Sequence, residues 1–274
     1  MLSSTDEWVA FDADAATGIE RLRARFTRHA YDRHAHEAYA IGMTEAGSQT
    51  FTCRGESHTT RPGAIILFNP TELHDGHATT ADGFTYRMLY VDVATVRGIL
   101  AGEVGDPEPL LDRPLAFDSA TARLIARAFE MLAPEASALT RDDMLLRLLL
   151  RLAQRYGGTS VPTPAGRADH AVLTVRDRLR DAPEDDVSLQ DLADLAGLSR
   201  FHLTRLFQRR FGLAPSAYLR LLRLEQAKRR LAAGDTPADV AAALGFVDQA
   251  HLTRRFKAAY GMTPGRYRAS RHRC

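Results

Sequence analysis

Two kinds of apolar spacing divide this chain. Between residues 24 and 92 apolar and polar positions alternate over short runs, as at Tyr39, Ile41 and Met43 and along Phe84–Val91. The continuous run Ala64–Phe68 lies between them and is ended by Asn69-Pro70. Period two is the signature of a half-buried strand. Turn signals separate the runs: Glu45-Ala46-Gly47-Ser48, read as a hairpin turn, Arg54-Gly55-Glu56-Ser57, and Arg61-Pro62-Gly63. Many short strands with evenly spaced turns predict a barrel or sandwich. Helical spacing then takes over, over Ala120–Leu132 and Thr140–Tyr156, with Thr140 and Asp143 placed as a capping pair. The second helix carries Leu145, Leu146, Leu148, Leu149, Leu150 and Leu152, more apolar surface than one solvent-exposed helix needs. It is either packed on two sides within one chain or paired with the same helix of a second copy.

A segment rich in Gly, Pro, Ser and Thr, Gly157–Gly166, reads as a linker. It predicts a first domain over 1–156, a linker over 157–168 and a second domain over 169–274. The second domain is helical throughout and contains a repeat. Asp191-Leu192-Ala193 aligns with Asp239-Val240-Ala241 at an offset of 48, and Gly197 with Gly245. One extra residue then enters the second copy, and His202-Leu203-Thr204-Arg205 aligns with His251-Leu252-Thr253-Arg254. Phe207, Gly212, Pro215 and Tyr218 fall on Phe256, Gly261, Pro264 and Tyr267. Each copy, about 188–211 and 236–260, reads helix, glycine turn, helix. Ser188 and Thr236-Pro237 start the first helix of each copy, and Gly212, Gly234 and Gly261 stand where helices stop.

Leu203, Phe207 and Phe211 share one face of the second helix, as do Leu252, Phe256 and Tyr260. The opposite faces carry Arg200, Phe201, Thr204, Arg205 and Gln208, and Gln249, Ala250, Thr253, Arg254 and Lys257. That is the helix-turn-helix design, in which the second helix enters the major groove. Charge agrees. The formal net charge of +2 divides into −5 over 1–168 and +7 over 169–274, and residues from Gly197 onward carry 16 basic against 4 acidic side chains. Such a segment meets a polyanion; a helical module for protein contacts is the competing reading. His202 and His251 read as helix-packing residues. Two cysteines, Cys53 and Cys274, build no disulfide framework, and neither a leader nor a membrane span is expected.

At these residues the chain resembles AraC-type transcription regulators. Ala241, Gly245-Phe246, Asp248, His251-Leu252, Arg254, Phe256-Lys257, Gly261, Pro264 and Tyr267-Arg268 follow that family's signature. The resemblance implies base contacts from Phe201, Thr204 and Arg205, joined here by Arg200, and from Gln249, Ala250 and Arg254. Arg209 and Lys257 are the candidates for phosphate contacts. It also implies promoter DNA, RNA polymerase, a small effector and a second copy of the chain as partners, a cytoplasmic location, and activation.

Six of the ten histidines lie between residues 29 and 77. His34-x-His36 on a strand would place both rings on one face. Pro62-Gly63, a strand, and Asn69–His74 resemble the second cupin motif, and the first domain looks like the cupin-like sensor found ahead of AraC-type DNA-binding domains. Metal cupins place a Glu four or five residues after the second His; here those positions are Ala40 and Ile41, and Glu37 should face the other way. His34, His36 and His74 thus admit three readings: polar walls of an effector pocket, structural histidines, or metal ligands. The first is preferred, with Tyr39, Arg54 and Glu72 as further pocket candidates and with no metal, cofactor or catalytic residue. Tyr86, Arg87 and Tyr90 read as one inward face or as core. The expected architecture is α+β: a cupin-like β-barrel with trailing helices, then an all-α double helix-turn-helix. The rival is a metal-dependent cupin enzyme with a DNA-binding tail.

Overall fold

The computed structural model describes residues 7–14, 17–104, 108–132, 137–158 and 167–271. The chain forms two compact units, Met1–Ser160 and Val161–Cys274. Gly157-Gly158, expected in the linker, are paired instead with Leu110-Leu111. Of the rest of the expected linker, 159–166 lie outside the described residues, as does Cys274, and 167–168 begin a helix instead.

The first unit is built on two sheets. Its strands are β1 (Trp8–Ala13), β2 (Glu20–Phe26), β3 (Tyr31–His34), β4 (Ala38–Gly47), β5 (Gln49–Cys53), β6 (Glu56–Thr59), β7 (Ile65–Phe68), β8 (His74–Ala78) and β9 (Phe84–Asp92). Helix α1 (Val93–Leu100) and the two-residue strands β10 (Leu110–Leu111) and β11 (Leu115–Ala116) follow. Helices α2 (Ser119–Met131) and α3 (Ala138–Tyr156) and the short β12 (Gly157–Gly158) complete it. One sheet has the order β1-β2-β9-β4-β7-β11 and the other β3-β8-β5-β6. The two sheets face each other without joining into the closed barrel expected from the strand pattern. Glu45–Gly47 are the paired end of β4 and not a hairpin turn, and the chain changes sheets at Ser48, between β4 and β5. Arg54-Gly55 does form a tight β5–β6 turn, with both residues in the left-handed region.

Alternation in the large sheet decides what each face meets. Tyr39, Ile41, Ile65, Leu67, Leu89 and Val91 turn toward α1, α2 and α3 and join Ile125, Leu145, Leu148, Leu149 and Leu152 in one core. The leucine excess of α3 is therefore mostly spent inside its own chain, on more than one side. Its N-cap is Ser137, not Thr140; Asp143 pairs with Arg147 one turn on. The other face of the large sheet meets the small sheet and places Phe26, Phe68, Phe84 and Tyr86 in the interior.

The second unit comprises α4 (Arg167–Asp181), α5 (Leu189–Ala196), α6 (Arg200–Phe211), α7 (Pro215–Ala232), α8 (Pro237–Ala243), α9 (Gln249–Tyr260) and α10 (Pro264–Arg271). Ser188 caps α5 in a reciprocal box with Asp191, and Thr236 caps α8 with Pro237 at its first turn. Leu203 and Phe207 are buried with Val172, Val175, Leu179, Leu192 and Tyr218 in the first repeat. Leu252, Phe256, Val240 and Tyr267 are buried in the second. Helix α7, eighteen residues and about 27 Å long, joins the two.

Candidate effector site and nucleic-acid interface

The second helices of the two repeats, α6 and α9, begin at equivalent points. Gly197 and Gly245 adopt φ of 63° and 67°, a conformation that favours a residue without Cβ. Ser199 caps α6 through the His202 N–H, and Asp248 caps α9 through the His251 N–H. The extra residue of the second copy is Val247, which protrudes from the turn at 86% exposure. Arg200, Phe201, Arg205 and Arg209 are exposed along α6, and Gln249, Ala250, Arg254 and Lys257 along α9. Thr204 and Thr253 are half-buried on the same faces, Thr204 donating its hydroxyl proton to the Arg200 carbonyl (2.8 Å). None of Arg200, Arg205, Arg209, Arg254 and Lys257 has an ion-pair partner among the described residues. In the first unit, by contrast, Arg21, Arg54 and Arg87 are spent on carboxylates. Unpaired cations on an exposed helix face are free to neutralise phosphates and to bond base edges. His251 packs its ring on Phe246, as expected of a packing residue, whereas His202 is exposed.

Arg223, on α7, carries no signal in its sequence context. It donates to the carbonyls of Pro183 (2.8 Å) and Asp185 (3.0 Å), ahead of α5, and of Gly245 (3.4 Å), in the second turn. One guanidinium thus ties the linking helix to the connection ahead of α5 and to the turn of the second repeat. Glu225, buried on the same helix, accepts from the Tyr260 hydroxyl (2.7 Å) at the end of α9.

In the first unit the structure brings His34, His36 and His74 together. His34 ends β3 and stands opposite His74 at the start of β8. His36 lies past the strand, in the β3–β4 connection, so strand alternation is not what aligns it with His34. The ring centroids of His34 lie 4.9 Å from His36 and 4.4 Å from His74. All three residues are buried. Nδ1 of His34 is 2.7 Å from the Asp32 carbonyl and Nδ1 of His74 is 2.9 Å from the Glu72 carbonyl. A carbonyl neighbour requires N–H there and leaves the lone pair on Nε2. His74 is stacked on Phe68 at 3.7 Å and 12°. Burial, and then the neighbouring His34 and His36, hold its imidazole well below the ordinary histidine value, so it is neutral at physiological pH.

Aromatic rings extend this cluster. Tyr90 packs on His36, and Tyr31 on His34. The Tyr31 and Tyr86 hydroxyls lie 2.7 Å apart, and burial pushes both phenols upward. Tyr31 gives no sequence signal because it stands alone before His34, with no partner until the sheets meet. Thr71, β-branched, holds φ at 63°, and its N–H donates to the His36 carbonyl (2.6 Å). Strain of this kind persists where surrounding structure dictates it.

The other expected pocket residues go elsewhere. Tyr39 faces the helices, and its hydroxyl donates to Pro109 O. Arg54 and Glu72 bond each other (2.5 Å) and brace the wall: Arg54 donates to the Asp112 and Leu111 carbonyls, and Glu72 accepts from Asn69. Tyr86 and Tyr90 are inward, but Arg87 is on the opposite face, paired with Glu45 and Glu130 over the Phe129 ring. For Tyr39 and Arg87 the reason is alternation, since a strand between two layers gives each neighbour a different layer; Arg54 and Glu72 lie in a turn and a loop at the rim, where they answer each other's charge.

Residues 16–157 match the AraC-like ligand binding domain, and residues 192–270 a helix-turn-helix domain. An uncharacterized HTH-type transcriptional regulator of Bacillus subtilis (strain 168), YbfI, is 29% identical over 236 residues, covering 84% of each chain. The HTH-type transcriptional activator RhaS of Escherichia fergusonii is 24% identical over 240 residues, 83% of this chain and 84% of that one. ToxT from Vibrio cholerae has a similar fold, with a TM-score of 0.62 at 10% identity over 92% of this chain and 98% of that one. No helix among the described residues is long and apolar enough to cross a membrane. With a ligand-binding domain over more than half its length and a helix-turn-helix domain behind it, the chain belongs to the AraC family of transcription regulators.

Proposed function

We propose that this regulator is a non-enzymatic, cytoplasmic activator whose C-terminal unit reads two successive major-groove segments. The observation that carries this is the pair of equivalent helices presenting unpaired arginines. Arg200, Phe201, Thr204 and Arg205 from α6, and Gln249, Ala250 and Arg254 from α9, would contact bases; Arg209 and Lys257 would contact phosphates. Residues 1–156 act as sensor and 169–274 as DNA-binding domain, with 157–168 expected to join them. The effector would lie between the two sheets, against His34, His36 and His74. A preference of the effector for one conformation shifts promoter occupancy. The outward face of α3, with Leu139 at 80% exposure and Leu146 half-buried, supports a homodimer. RNA polymerase is the expected protein partner of an activator. Titration of a cognate promoter tests the reading. Arg205→Ala and Arg254→Ala should each cost about 1–3 kcal/mol and relax the preference at one base position. Unchanged affinity and specificity in both variants would overturn it.

A further inference from the structure

We infer that His34, His36 and His74 together bind a divalent transition-metal ion within the sensor. The inference rests on reading this interior as the sensing site. One ring nitrogen from each residue lies within 4.8 Å of the other two, and all three side chains are buried. The three come from separate pieces of backbone: the end of β3, the β3–β4 connection and the start of β8. No local periodicity requires them to converge.

Their surroundings prepare them as ligands. Backbone carbonyls of Asp32 and Glu72 face Nδ1 of His34 and His74 and set Nε2 as the electron-pair donor. An outer acceptor on the far nitrogen is the usual support of a metal-bound imidazole, because it sets the tautomer and aims the ring. Phe68 holds the plane of His74, and the strained Thr71 ties the loop before His74 to the carbonyl of His36. The ligand positions are therefore held before any ion arrives.

The donor set selects the ion. Three imidazoles suit zinc, nickel, cobalt or copper and not magnesium or calcium, which need oxygen ligands. Among the described residues no carboxylate joins the cluster. The bound ion would thus keep its full double charge and one open position in a tetrahedral set.

The test uses the full chain, stripped with a chelator and dialysed against zinc. One zinc per chain is expected, retained by wild type and lost in His34→Ala, His36→Ala and His74→Ala. Each ligand should matter at least as much as an outer partner, whose removal costs about tenfold or more in affinity. Cobalt substitution of the wild-type protein should give the intense visible bands of a four-coordinate ion, which needs no variant to fold. Absence of bound zinc and of those bands overturns the site, as does zinc retained in all three variants. If zinc is absent while a metabolite still raises the melting temperature, the metal site fails and the sensing site survives. If zinc binds as expected but neither it nor any metabolite alters promoter affinity, the metal site stands and the sensing role fails.

Discussion

At the residue scale, what a charged side chain does depends on whether its charge is already answered. Lys257 is exposed at the end of α9 with no acidic partner among the described residues. Lys257→Ala should therefore weaken binding to all DNA sequences alike and lower the salt slope by about one unit; band shifts at several salt concentrations measure it. Glu7 is the opposite case. Burial works upward on it, but the backbone N–H groups of Arg28, His29 and Thr27 outweigh that and bring it down to about 2 from 4.5. A carboxylate depressed in the folded state contributes stability that is whole above its unfolded value and is lost as pH falls through the folded one. The Glu7 share should thus disappear between pH 4.5 and about 2. Glu7→Gln should lower the melting temperature near neutrality and flatten its dependence across that window; parallel acid limbs for variant and wild type would show otherwise. Cys53 is inert by the same reasoning, since burial, and then Glu72, push its thiol up to about 12.

At the element scale, the two repeats differ in what surrounds their turns. A Cβ on Gly197 would meet nothing within 4 Å, so Gly197→Ala carries only the left-handed backbone cost, roughly 1–2 kcal/mol. A Cβ on Gly245 would lie 3.0 Å from Arg223 Nη1. Arg223 can move aside only by leaving the carbonyls it bonds on both sides of α7. Gly245→Ala should be the more destabilising, and in an Arg223→Ala background its cost should fall to that of Gly197→Ala. Urea unfolding of the four variants forms the cycle that measures this coupling. Equal costs for the two glycines would remove Arg223 from the second turn's support. Legibility follows the same division. Helix starts, caps and the buried faces of α6 and α9 are readable because each depends on residues within one or two turns. Ser137 displaces Thr140 as the cap of α3: both are good cap residues three positions apart, and the helix begins one turn earlier, with the Thr140 N–H donating to the Ser137 hydroxyl.

At the scale of the whole molecule, net charge and apolar surface describe partners. A near-neutral sum conceals −5 in the sensor half and +7 in the DNA-binding half. Within the sensor most of the α3 leucines are consumed by the chain's own core, so the apolar surface left on α3 is that of Leu139 and Leu146. Leu139→Glu with Leu146→Glu should turn a dimer into a monomer in sedimentation at micromolar concentration, while leaving the leucines packed on the core untouched. A wild-type monomer under those conditions would end the dimer proposal. An effector at 100 times its Kd should stabilise the sensor by about 2.7 kcal/mol, visible as a raised melting temperature.

The sequence by itself determined the division into two modules, the duplicated helix-turn-helix and which side chains are exposed along α6 and α9. Those features are written in local periodicity, in capping residues and in a repeat that needs no third dimension to be counted. Only the tertiary structure decided the sensor's interior. It joined His34 and His36 to His74 about forty positions on, sent Tyr39 to the helices, and made Arg54 and Glu72 a brace in the wall. A strand between two layers offers both faces to apolar neighbours, and the pattern of its residues does not say which layer each face will meet.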